Sequence, residues 1–276
     1  PICADTTTVG VGVTVNLSGG SFTNGGAVIN SGDAAGDTYS NMENLLGSAF
    51  ADVLVGSTGA NVIDGGAGDD TVEGLAGADT LKGGAGVDTA SYAHANAGVT
   101  VDLSNSGAIT MTNDAAGDTF FGIENLTGSN FNDNLYGDVN DNVLIGGLGN
   151  DLLDGGGGFD TASYATATGG VTIDMSTNTV TGAAGNDTLV SIERIIGSNF
   201  IDTITGTSGN DLIEGGAGAD IINDIWALRQ PGGVGYLSAA DVVAQHPSCG
   251  VCLMHMHKEP LTMQAEPMQG DAASII

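Results

Sequence analysis

Ten aspartates and two asparagines recur at one place in a nine-residue unit, and oxygen side chains repeated in this way suit a hard divalent cation. Asp70, Asp79, Asp88, Asp151, Asp160, Asp211 and Asp220 sit at the sixth position of units whose fourth residue is Gly. Asp52, Asp133 and Asp202 lie in units lacking that Gly, and Asn61 and Asn142 offer only neutral oxygens, so these five are weaker candidates. Ca²⁺ takes six to eight oxygens in loose geometry from carboxylates and carbonyls, whereas Mg²⁺ wants a stricter octahedron. Zn²⁺ would want His or Cys, and the units contain neither.

The units fall into three blocks, at 47–91, 128–163 and 197–223. All twelve begin with Gly, and the eighth residue is always apolar: Val, Ile or Leu in ten units and Ala at Ala90 and Ala162. Three different columns aligned at one period are more than a Gly/Asp bias would produce. Glycine permits the positive φ and close approach that a tight six-residue turn needs. The last three residues read as a short strand with its central side chain inward. Such a strand is too short to stand alone. Two units make one coil, so units i and i+2 stack, their apolar residues form a thin core, and their carboxylates are brought together. Stacked carboxylates repel unless a cation lies between them. Pairing units i and i+2 predicts about six ions.

A longer repeat overlies the short one. Gly12–Leu17 (GVTVNL) recurs at 98–103 and 170–175, AAGDT at 34–38 recurs at 115–119 and as AAGNDT at 183–188, and MENL at 42–45 recurs as IENL and IERI. The chain is therefore divided into 1–46, the block 47–91, 92–127, the block 128–163, 164–196, the block 197–223, and a tail, 224–276. The alternation Val99/Val101/Leu103 is a half-buried strand pattern. The interblock segments are expected to continue the solenoid as wider coils.

Composition agrees. With 33 acidic and 4 basic residues the formal net charge is −29, and aromatics are only 5%. That excludes a phosphate-binding, nucleic-acid-directed surface and opposes anionic membranes. No apolar run reaches the ~20 residues of a membrane span. There is no HExxH, GxSxG or P-loop. His94 is a lone interblock His, expected to be solvated. Cys249-Gly-Val-Cys252 with His255 and His257 is too closely spaced for a good zinc site.

The copies GGAGDDTVE, GGAGVDTAS, GGLGNDLLD and GGAGADIIN resemble the RTX, or haemolysin-type, calcium-binding repeat. The resemblance implies an all-β fold, a parallel β-roll solenoid, with Ca²⁺ as its cofactor. It also implies an extracellular protein exported by a type I secretion apparatus, folding where calcium is plentiful and having no catalysis of its own. An adhesin or surface-layer rod stiffened by calcium remains an alternative.

The tail differs. It holds Trp226, four of seven Met and four of five Pro. GADIINDIWALRQPG (218–232) and VCLMHMHKEPLTMQ (251–264) resemble a fragment of dihydropteroate synthase, a TIM-barrel enzyme. That resemblance implies a pterin-contacting role for Asn223. The stretch His255-Met256-His257-Lys258 departs from the family's HMQG, and about a fifth of a barrel cannot close into a ring. A pterin-binding function is thus the alternative to calcium binding.

Overall fold

The computed structural model describes residues 2–3, 12–17, 42–104, 106–208 and 211–223. These are almost entirely strand and turn, with one 3-10 turn at Asn113–Ala115. The repeat unit explains why: most strands are three residues long, as at Val53–Val55, Thr71–Glu73 and Asn134–Tyr136. The residue at the centre of each of these is buried while at least one neighbour is more exposed, as side-chain alternation requires.

Pairing is parallel with a step of one coil. Val53 lies beside Thr71, Thr71 beside Thr89, and Asn134 beside Leu152. One face is a nine-stranded sheet running from Thr14–Asn16 to Leu212–Glu214. The opposite face is a five-stranded sheet followed by an eight-stranded one. The inward residues form unbroken stacks: Leu54, Val72, Ala90, Leu126, Leu144, Ala162 and Ile195 on one face, each fully buried. Opposite them Val101, Leu135, Leu153 and Leu189 stack in register. The core is thus one aliphatic residue thick per face.

The sheets run through the interblock segments, where Thr89 pairs with Asn125 and Thr161 with Arg194. The solenoid is not parallel throughout. Thr179–Gly182 runs antiparallel between Val171–Asp174 and Gly185–Val190. It keeps the eight-stranded face continuous where a parallel coil would otherwise be missing. In the preceding interblock segment the corresponding run yields only the bridge Thr100–Thr112, and the face divides there.

Candidate metal centre

Each six-residue turn ends in its position-6 side chain, directly before a strand whose central residue is in the core. That placement carries the acid inward. Asp52, Asp70, Asp79, Asp88, Asp133, Asp151, Asp160 and Asp202 are all buried, as are Asn61 and Asn142. Asp211 and Asp220 are half-buried. Buried acids without a positive partner are uncommon and call for a compensating group.

Half of the compensation is a ladder. In six of the turns one carboxylate oxygen accepts the backbone N–H of the position-6 residue one coil earlier, and in Asp52, Asp133 and Asp202 it accepts the N–H of Val13, Val99 and Val171. Asp52 N donates to Asp70 Oδ1 at 2.8 Å, Asn61 N to Asp79 Oδ1 at 2.7 Å, Asp70 N to Asp88 Oδ1 at 2.8 Å and Asn142 N to Asp160 Oδ1 at 2.8 Å. Asp133 N reaches Asp151 Oδ1 at 2.9 Å, and Asp202 N reaches Asp220 Oδ1 at 3.0 Å.

The second oxygen divides the turns into two kinds. Oδ2 of Asp70, Asp79, Asp88, Asp151 and Asp160 is buried and has no hydrogen-bond partner. In Asp133 and Asp202 the same oxygen accepts the N–H of Ser129 and Ser198, each at 2.6 Å, and the serine hydroxyls bond the carboxylate as well. Asp52 is closed in the same way by Ser48. Asp211, expected from its position-4 Gly to belong with the open group, is closed by the N–H and hydroxyl of Thr207. Asn61 and Asn142 are closed too: Oδ1 accepts from Ser57 and Asp138, and Nδ2 donates to the carbonyls of Glu43 and Glu124. The residue at position 2, rather than position 4, separates the two kinds.

Backbone oxygens crowd the open turns. Gly84, with φ +118, has the carbonyl oxygen of Gly66 2.1 Å from where a Cβ would stand, and at Gly86 the Gly68 oxygen is 2.0 Å away. Only glycine fits such a cradle of carbonyls. Among the described residues no three acidic, His or Cys side chains meet at one point. One or two carboxylates plus carbonyls are therefore the donor set on offer. It is a hard-oxygen set without nitrogen or sulfur, and it fits Ca²⁺.

In the open turns burial raises the acid pKa values, backbone hydrogen bonds partly oppose this, and neighbouring carboxylates raise them further. Asp70 and Asp160 are pushed up to about 6 and Asp151 to about 7. Burial likewise raises Asp79, Asp88 and Asp220.

Two participants were not among the candidates. Asp187 belongs to GAAGNDTLV at 182–190, which satisfies all three columns and was legible. Its Oδ1 accepts Asp151 N at 3.0 Å, and its buried carboxylate faces the Tyr164 hydroxyl. Asp118 continues the ladder from Asp79 at 2.8 Å, but AAGDT is one residue shorter and breaks the nine-residue register. Its Oδ2 accepts the Tyr92 hydroxyl at 2.8 Å. His94 is not simply solvated: its Nδ1 lies 2.7 Å from Oε2 of the buried Glu73, and that hydrogen bond raises its pKa against the effect of burial.

The pattern of the RTX calcium-binding nonapeptide repeat matches residues 46–81, 65–91, 127–162, 176–191 and 196–223. The chain thus carries RTX repeats wound into a β-roll, and such repeats bind Ca²⁺. No curated protein matches the chain. The match ends at 223, and the synthase resemblance gains no support from it. Asn223 is the last residue of the roll strand Ile221–Asn223, paired with Thr205, and so serves the repeat. Cys249, Cys252, His255 and His257 lie outside the described residues.

Proposed function

We propose that this chain is a secreted, calcium-stabilised structural module in which Ca²⁺ is held by the open turns of Asp70, Asp79, Asp88, Asp151 and Asp160, with the more exposed Asp220 joining them. The observation carrying this reading is the set of buried Oδ2 atoms with no partner in turns crowded by carbonyl oxygens. A bound cation supplies the positive charge that those carboxylates lack. The Ser- and Thr-closed turns of Asp52, Asp133, Asp202 and Asp211, and the amide-closed turns of Asn61 and Asn142, act as cation-independent spacers.

The net charge of −29 supports an extracellular setting. With little free calcium the acids repel, and the chain stays unfolded or loosely folded. Where calcium is abundant, binding to the folded form alone draws the equilibrium toward it, by about 2.7 kcal/mol per site at a hundredfold excess over the dissociation constant. Export by a type I apparatus in an extended state is consistent with this coupling. Among the described residues no helix is long and apolar enough to cross a membrane.

Far-UV circular dichroism of the full chain during a calcium titration tests the proposal. A rise in β signal that EDTA reverses is expected. Identical spectra in calcium and EDTA would remove the calcium-coupled folding.

A further inference from the structure

Two of the acid ladders end on glutamates that lie outside the nonapeptides. Asp88 N donates to Glu124 Oε2 at 2.8 Å, and Asp160 N donates to Glu193 Oε2 at 2.9 Å. In each case the position one coil later holds no six-residue turn. It holds a three-residue one, Gly122-Ile123-Glu124 or Ser191-Ile192-Glu193.

The two short turns share their geometry. Gly122 and Ser191 both have positive φ, +56 and +49. The N–H groups of Glu124 and Asn125 converge on the carbonyl of Asp88 at 3.0 and 2.9 Å. Those of Glu193 and Arg194 converge on Asp160 at 3.1 and 2.9 Å. The first residue of each supplies a carbonyl where a full turn would. A Cβ on Gly83 would lie 2.0 Å from the Gly122 oxygen and 2.4 Å from Asp88 Oδ2, and one on Gly155 would lie 2.3 Å from the Ser191 oxygen and 2.5 Å from Asp160 Cγ. In the nonapeptide stack, Gly65 stands in the same relation to the Gly83 oxygen, at 2.7 Å, and to Asp70 Oδ2, at 2.3 Å. The short turn thus reproduces the carbonyl of position 1 and, through a side chain one methylene longer, the carboxylate of position 6.

The lower member of each pair is incomplete. Asp88 and Asp160 are fully buried, and their Oδ2 atoms have no partner. The carboxylates of Glu124 and Glu193 add negative charge beside them and contribute to their raised pKa values, after burial. Among the described residues no lysine or arginine is paired with either aspartate.

We propose that Gly122-Ile123-Glu124 with Asp88, and Ser191-Ile192-Glu193 with Asp160, form two hybrid divalent-cation sites that close the ends of the first two blocks. The proposal rests on calcium binding by the open turns and adds residues that the nine-residue pattern does not contain.

Isothermal titration of the full chain with CaCl₂ tests it, comparing wild type with the double variant Glu124→Gln/Glu193→Gln. Glutamine keeps an oxygen for the Asp88 and Asp160 N–H groups but removes the charge. Two fewer ions per chain are expected, at matched far-UV spectra in saturating calcium. An unchanged ion count would overturn the proposal and leave the glutamates as ladder ends only. If the double variant does not fold, Glu124→Gln and Glu193→Gln are titrated singly, with one ion lost from each expected and no loss from either overturning it. A wild-type chain that bound no calcium would instead defeat the underlying calcium reading.

Discussion

Asp70 accepts the backbone N–H of Asp52 through Oδ1 at 2.8 Å, while its Oδ2, equally buried, accepts nothing. One oxygen holds the register between coils and the other is left for a cation. Replacing Asp70 by Asn separates these roles. The amide keeps the register oxygen, and its Nδ2 can donate to a carbonyl of the adjacent coil, as Asn61 does to Glu43 at 3.2 Å. Asp70→Asn is expected to stabilise the chain in EDTA and to destabilise it in calcium, by about 1–3 kcal/mol each way. Thermal unfolding in the two buffers checks the sign reversal, and a shift in the same direction in both would count against the assignment.

Acidity should imitate calcium. In the metal-free fold burial raises Asp70 and Asp160 to about 6 and Asp151 to about 7, from the ordinary carboxylate value of 3.8. A carboxyl that binds its proton more tightly when folded stabilises the fold while protonated. That contribution is complete below about 4 and is lost as pH rises through 6 to 7. A chain in EDTA is therefore expected to gain β-structure as pH falls from 8 to 5, while calcium affinity declines over the same interval. Circular dichroism against pH in EDTA measures this, and a flat profile would refute it.

The serine-closed turns should behave oppositely. Ser129 Oγ bonds Asp133 Oδ1 at 2.9 Å, so Ser129→Ala removes a hydrogen bond from a buried acid. A loss of about 1–3 kcal/mol is expected in calcium and in EDTA alike. The number of bound ions, read by titration, should not change.

The stacks of aliphatic residues set a third scale. Leu153 is fully buried between Leu135 and Leu189 in the register of their strands. Leu153→Ala should cost about 2–5 kcal/mol through lost burial and a cavity. Because the core is common to both states of the turns, the cost measured by denaturant unfolding should not depend on which residue closes the neighbouring turn.

The column of residues such as Leu54, Val72 and Leu153 was legible because one inward side chain per nine residues leaves a strict period. The acids were legible for the same reason. What the period could not carry was the distinction between open and closed turns. That depends on whether position 2 is a Ser or Thr that reaches the carboxylate, as Thr207 does for Asp211, or a residue in the left-handed region, as Leu75 is beside Asp79 with φ +67. Asp118 was hidden by a one-residue deletion, which backbone pairing absorbs but an alignment of columns does not. The antiparallel strand Thr179–Gly182 is short and joined to its partner Val171–Asp174 through the turn Met175-Ser176-Thr177-Asn178, and a run this brief leaves little periodicity in the sequence. Asp174 opens that turn by accepting from Ser176, which holds its pKa below the usual carboxylate range. His94 looked solitary because its partner Glu73 is 21 residues away in the chain.

Tyr92 shows how a turn can be completed without a cation. Its hydroxyl is buried and donates to Asp118 Oδ2 at 2.8 Å, the oxygen that is orphaned in the open turns. Burial pushes Asp118 up to about 7, with the hydrogen bonds from Asp79 and Tyr92 opposing that rise. Tyr164 occupies the same place in the next module, following TAS as Tyr92 does, and its hydroxyl lies beside Asp187. Tyr92→Phe leaves the ring in the core and removes only the donor. The expected loss is about 1–3 kcal/mol in EDTA, from a buried carboxylate oxygen left unsatisfied. The pKa of Asp118 should rise further, so the penalty should shrink as pH falls below 7 and the acid takes up a proton. Denaturant unfolding of the variant and wild type in EDTA at pH 5 and pH 8 measures both effects. An equal loss at the two pH values would assign the damage to packing and not to the hydroxyl–carboxylate bond.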